Sequence, residues 1–232
     1  MENLNYPNPN HQKWNHYVGR EALAPLFGCP LRSPDTIPID LSRHNQKLRR
    51  ISHEDTRRLG EYIFGEMQRA HAAFGIGGYD EDRALYGRFP LYCDGDETRS
   101  IHLGVDIWAR AGTPIFCPVT GTVHSFQDNK QSGDYGPTII LQHQSGDLTW
   151  YSLYGHLSTQ SLSGLCEGQR FHAGERLAAI GAPRNGEWPP HLHFQIMLDL
   201  LGCRGDFPAV ATQARRAEFL NICPDPERIL HL

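Results

Sequence analysis

Three short stretches carry side chains that can do chemistry together: His102-Leu-Gly-Val-Asp106, Tyr154-Gly-His156 and His191-Leu-His193. Imidazole and carboxylate are donor types for zinc, and imidazole also moves protons near neutral pH. After Pro190 the chain alternates: His191, His193 and Gln195 are polar, while Leu192, Phe194 and Ile196 are apolar. That is the period of a half-buried strand, so both histidines leave it on one face. Pro189-Pro190 marks where this strand begins, because proline has no N–H for the ladder. Such a face suits a zinc hydrolase, with one histidine on the metal and the other beside it. The bland reading is a pair of half-exposed surface histidines.

His102, Gly104 and Asp106 also share a face if the backbone is extended. On a straight strand His102 and Asp106 would lie roughly 13 Å apart, at ~3.3 Å per residue. That is too far for one zinc, whose bonds are only ~2.0–2.2 Å long. A helix would bring them together, but Gly104, Val105, Ile107 and Trp108 make a poor one. If both are ligands the chain must bend at 103–105, and Gly104 permits the bend. His156, taken alone, reads as a half-buried core histidine at the end of an aromatic strand.

The elements that must position these residues are mostly strands. From residue 99 short β-like runs are separated by Gly-containing turns: Ile101–Trp108, Pro114–Cys117, Gly121–Gln127, Pro137–His143, Leu148–Leu153, Glu175–Ile180 and His191–Leu198. Their spacing predicts a mainly β fold, an antiparallel sheet, sandwich or barrel. Strands do not alternate with helices, which argues against a parallel βαβ sheet. Upstream, residues 1–36 read as an arm on the surface of the main body, and Ile37–Leu41 as a short strand. Ser52-His-Glu-Asp55 resembles a capping box. Leu59, Ile63, Met67, Ala70 and Phe74 then predict a helix over about 53–74, ended by Gly75, Gly77 and Gly78. Gly77–Tyr86 is an acidic and aromatic loop, either reaching toward the site or lying on the surface. Ala209–Leu220 suggests one short helix. The organisation is thus an N-terminal arm and helix over 1–95, a β domain over 96–200, and a C-terminal tail over 201–232.

Composition narrows the function classes. The chain has 232 residues and a formal net charge of −4, so nothing in its charge favours nucleic acid. No apolar run approaches the length of a membrane span. The N-terminal residues lack the pattern of a secretory signal, which gives the cytoplasm as the expected compartment. The six cysteines are scattered and form no Cys-x-x-Cys, so they read as reduced thiols. His143 is expected to be exposed, and His124 and His172 have no partner at a telling spacing. Cys117 reads as a small core residue. Trp188 reads as either a groove wall or a packed turn residue. Arg83 and Tyr86 are substrate-contact candidates outside the catalytic set.

Taken together, the motifs over roughly 99–198 resemble those of the lysostaphin-type (LytM-like) zinc metallopeptidases. They are His102-Leu-Gly-Val-Asp106, Gly112-Thr-Pro114, Gly121-Thr-Val123, Tyr135-Gly136, Tyr154-Gly-His-Leu157, Gly168, Gly174, Ile180-Gly181 and Pro190-His-Leu-His-Phe194. The resemblance implies zinc held by His102, Asp106 and His193. It implies two further histidines, His156 and His191, at the open side of the metal, and an antiparallel β core of the lysostaphin (duplicated hybrid motif) kind with a groove across it. One of these histidines would orient or deprotonate the water; the other would stabilise the oxyanion or protonate the leaving amine. Three protein ligands leave a fourth position open, as in catalytic zinc sites. The implied activity is zinc-dependent hydrolysis of peptide or amide bonds, with peptidoglycan-derived peptides as substrates.

The flanks resemble a peptidase-like domain that some fusion proteins carry between a kinase-like and a class III aminotransferase domain. The residues are Asp40-Leu-Ser42, Gly77–Tyr86, Asp134-Tyr-Gly-Pro137, Gly186–Ile196 and Cys223-Pro-Asp-Pro226. That likeness implies cytosolic hydrolysis of a small amine-containing metabolite instead. A third reading, from another class, is a catalytically silent binding or scaffold domain. Inactive relatives typically lack some of the five site residues, and all five are filled here.

Overall fold

The computed structural model describes residues 8–18, 23–32, 34–48, 51, 56–95, 97–183 and 188–230. The elements run α1 (Pro9–Val18), β1 (Thr36–Ile39), α2 (Thr56–Arg69), β2 (Phe74–Gly77), β3 (Cys93–Asp94), β4 (Glu97–Thr98), β5 (Ile101–His102), β6 (Val105–Trp108) and β7 (Pro114–Phe116). They continue with β8 (Gly121–Asn129), β9 (Gly136–Ser145), β10 (Leu148–Gly155), β11 (Arg170–Phe171), β12 (Arg176–Ala179), β13 (His191–Met197), β14 (Val210–Ala211), α3 (Arg216–Ile222) and α4 (Glu227–Leu230). Two 3₁₀ turns, Ala84–Arg88 and Pro90–Tyr92, lie between β2 and β3.

One eight-stranded sheet organises the molecule, in the order β1-β2-β6-β13-β10-β9-β8-β11. Every neighbouring pair is antiparallel except β1–β2. The fold is mainly β and antiparallel, as the strand spacing predicts. The N-terminal region packs α2 against this sheet and also adds β1 and β2 to it. β13 sits centrally between β6 and β10, with His193 opposite Asp106 and His191 opposite Trp108. One face of this strip carries Val105, Ile107, Leu192, Phe194 and Ile196 into the largest core cluster. The other face carries Asp106, His191 and His193. It is covered by Tyr86, Phe89, Tyr92 and Trp188, which cluster with Trp108. Every residue of β13 is therefore buried, not half-buried. The alternation in its sequence separates a core from a polar site, and neither face meets bulk water.

The bend at 103–105 is present, and its cause is a change of sheet. His102 pairs with Val210 in β5–β14, whereas Val105 and Asp106 pair with β13 in the main sheet. Gly104 lies between them with φ outside the left-handed region. What it supplies is space: a Cβ there would stand 2.7 Å from the Phe194 carbonyl oxygen and 2.8 Å from the His193 ring.

Other expectations need correction. α2 ends at Arg69, not at 74, because His71 turns left-handed at φ 54° and the Ala72 N–H closes on the Met67 carbonyl. Leu59, Ile63 and Met67 do form its buried stripe, but Phe74 begins β2. Ser52–Asp55 lie outside the described residues. The N-terminal arm contains α1, whose Trp14 is buried edge-on against Trp150 at 4.8 Å. In the tail, 210–211 are strand and the helix is Arg216–Ile222. His143 is buried, not exposed: it stacks on Trp150 at 4.0 Å and bonds the Thr120 carbonyl and the Ser152 hydroxyl. Its partners come from neighbouring segments, which its own surroundings in the chain do not reveal. Cys117 is a buried core residue as expected, and all six cysteines are free thiols.

Candidate metal centre

The fold brings all five sequence-predicted residues to one place. His102 Nε2 lies 3.1 Å from His193 Nδ1 and 3.3 Å from Asp106 Oδ1, and His193 Nδ1 lies 3.1 Å from the same oxygen. Donors bound tetrahedrally to a zinc at ~2.0–2.1 Å would be separated by roughly 3.3 Å. Among the described residues this is the one cluster of metal-type side chains.

The tautomers leave the triangle suited to a cation. His102 Nδ1 donates to the Gly78 carbonyl at 2.8 Å, which leaves Nε2 with a lone pair. Gln195 donates through Nε2 to the Pro208 carbonyl, so its Oε1 must accept. It accepts from His193 Nε2 at 2.9 Å, leaving His193 Nδ1 with a lone pair. Two imidazole lone pairs and a carboxylate oxygen then converge without a proton among them. A divalent cation relieves that repulsion, and bonding through the far ring nitrogen is how metal-bound histidines are usually oriented. The residues fit zinc.

The electrostatics favour a neutral His102 and an ionised Asp106. His102 is pushed down to about 4 by burial and by the Arg83 charge. Burial works to raise Asp106, but His102 and Arg83 outweigh it and hold the carboxyl well below its ordinary range. Asp106 Oδ2 accepts from Arg83 Nη1 at 2.6 Å, and Arg83 Nε is 2.6 Å from Glu81 Oε2.

His191 and His156 lie beside this triangle. His191 Nε2 is 3.7 Å from Asp106 Oδ1, and its Nδ1 donates to the Pro189 carbonyl at 2.8 Å. The ring stacks on Trp108 and stands 4.1 Å from the His156 ring. His156 follows β10 in a left-handed conformation, φ 59°, anchored by its N–H on the Tyr135 carbonyl. Burial lowers both: His191 to about 4, and His156 well below its ordinary value, with the neighbouring histidines adding to the effect. A cleft of about 30 Å³ opens on the pair, lined by Tyr135, Pro137, Trp188 and Pro189 among others. Trp188 is thus both groove wall and packed residue, with its indole N–H on the Gly133 carbonyl.

Residues 100–202 match the family model of Peptidase family M23. That stretch, a little under half of the chain, resembles an M23 peptidase domain. It contains all five predicted site residues. Curated proteins yield no significant match to the chain. Among solved structures, the chain is similar to a zinc containing peptidase from Vibrio cholerae, at 23% identity over 47% of this chain and 31% of that one, with a TM-score of 0.33. It is similar to the antimicrobial peptidase lysostaphin from Staphylococcus simulans, at 24% identity over 62% of this chain and 46% of that one, TM-score 0.39. The catalytic domain of the prophage-encoded M23 protein EnpA from Enterococcus faecalis is 25% identical over 45% of this chain and 71% of that one, TM-score 0.34. The chain spans less than half the length of the Vibrio and lysostaphin structures.

Some site residues escape the motif reading. Glu81 and Arg83 lie upstream of the M23 stretch, and Gln195 lies inside it. Arg83 and Tyr86 belong inside the site's support, not on a substrate surface. The one signal in the sequence was a lone arginine beside acidic residues in a glycine-led loop.

Proposed function

We propose that the protein is a zinc-dependent hydrolase of peptide or amide bonds, with His102, Asp106 and His193 holding the metal and His156 and His191 handling protons. The observation that carries this is the triangle of proton-free donors, 3.1–3.3 Å on each side, beside a close histidine pair. Zinc bound there would polarise the scissile carbonyl and lower the pKa of water. His191 has its Nδ1 proton committed to Pro189, so Nε2 is free to take a proton from the attacking water. His156, neutral and held beside it, would donate an N–H to the oxyanion, and the proton that His191 takes from the water would pass to the leaving amine. Burial keeps both imidazoles neutral, the state these roles require.

The match to Peptidase family M23 supports a peptide substrate, and peptidoglycan-derived peptides are the first class to test. The narrow cleft at His156 and His191 favours a slender substrate, such as a chain end or a small amide. Zinc-loaded protein incubated with muropeptides, glycine-rich peptides and a pool of small amides, read by mass spectrometry, tests both. Cleavage by the parent and none by His191→Ala is expected. Equal cleavage by the two proteins would contradict the assignment. Cleavage confined to the amide pool would move the function away from cell-wall chemistry.

A further inference from the structure

The loop between β2 and β5 holds two of the three donors, although it lies outside the M23 stretch. Gly78 presents its carbonyl to His102 Nδ1. The His102 backbone is paired on the same side, its N–H on the Glu81 carbonyl and its own carbonyl taking the Asp80 N–H. Arg83 reaches Asp106. Its guanidinium is 1% exposed, and its N–H groups are committed in several directions: Nε to Glu81, Nη1 to Asp106 Oδ2 and the Tyr86 hydroxyl, Nη2 to the Gly78 carbonyl. Glu81 is fixed in turn by the Leu41 N–H at 2.9 Å. Gly77 makes room, since a Cβ there would stand 2.9 Å from Arg83 Nη2.

A buried guanidinium is costly unless paired, and packing alone would be met by an apolar side chain. The pairing here is directed at one oxygen. Asp106 Oδ2 is taken by Arg83, while Oδ1 faces His102, His191 and His193. Glu81 cancels the charge that Arg83 brings, so the cluster keeps the single negative charge of Asp106.

We propose that Arg83 is a positioning residue for the metal site: it occupies Asp106 Oδ2 so that the carboxylate offers the cation one oxygen and leaves a coordination position open. The inference rests on the zinc reading above. A carboxylate released from Arg83 can chelate with both oxygens, which raises the coordination number and closes the position a catalytic zinc needs.

The test uses the full chain and the variants Arg83→Met and Arg83→Lys, with folding checked by circular dichroism. Zinc affinity is measured against a chromophoric chelator, and the coordination number is followed by the visible absorption of the cobalt-substituted protein, which weakens as coordination rises. Wild type should give intense cobalt bands. Arg83→Met should bind zinc 10–100-fold more weakly, the usual cost of losing such a partner, with weaker bands. Arg83→Lys keeps a cation near Oδ2 but cannot hold Glu81 and Asp106 together, so it should fall between the two. If Arg83→Met does not fold, the Arg83→Lys comparison decides. A folded variant with wild-type affinity and spectrum would overturn the inference alone. A wild-type protein that binds neither metal would overturn the zinc reading itself.

Discussion

β13 and the Gly78–Arg83 loop divide the three donors between them and serve them by different means. β13 delivers His191 and His193 through its own two-residue period, and it supplies the partner that orients His193, since Gln195 is the next residue on that face. The loop delivers no donor. It orients His102 through a backbone carbonyl and Asp106 through a buried arginine. A regular element can place chemistry by periodicity alone, whereas an irregular one must use specific bonds from distant positions in the chain.

The comparison can be broken most severely at β13. His193→Ala removes a donor that nothing else replaces, so the protein should retain no stoichiometric zinc after gel filtration; retained zinc, read by elemental analysis, would remove β13 from the metal account. Next is β9, two strands from β13 in the same sheet, where His143 separates fold stability from site chemistry. Burial pushes His143 down to about 4, against an ordinary value of 6.5. A histidine held neutral by the fold stabilises it above pH 6.5, and that contribution disappears as pH falls from 6.5 to 4, because the unfolded chain takes up the proton first. The loss is about 3 kcal/mol at most. Denaturation of wild type and His143→Gln at several pH values should show the variant losing less stability over this window.

Gln195→Ala probes the β13 partner in the way Arg83 variants probe the loop. It should weaken zinc binding 10–100-fold in a chelator competition, and an effect as large as that of Arg83→Met would mean that the two supports weigh equally. The smallest effect is expected from Gly77→Ala, which crowds the guanidinium without removing it. A loss of about 1 kcal/mol in thermal stability is the scale for such overpacking, accompanied by a slight fall in zinc affinity. A wild-type melting curve would show that the loop has slack.

What the sequence makes visible follows the same division. The β-runs from 101 to 198 match observed strands to within a few residues, because the two-residue period and turn glycines mark them. The five site residues are legible because their motifs are short and regularly ordered. The bend at 103–105 follows from reach alone, though its cause, a strand changing sheets, depends on β14 over a hundred residues away. The end of α2 was hidden because a histidine, not a glycine, takes the left-handed position. His143 was hidden because Ser152 and Trp150 lie on the adjacent strand, and Arg83 because its partner Asp106 lies beyond two turns and several short strands.

The central claim is that one zinc is held by two imidazoles and one carboxylate oxygen. Zinc-edge X-ray absorption of the stoichiometrically loaded protein tests it most directly. The account predicts a four-coordinate nitrogen and oxygen shell at ~2.0–2.1 Å with the outer-shell scattering of two imidazoles, and loss of that signal in His193→Ala. A shell with sulfur at ~2.3 Å, or one without imidazole, would contradict it.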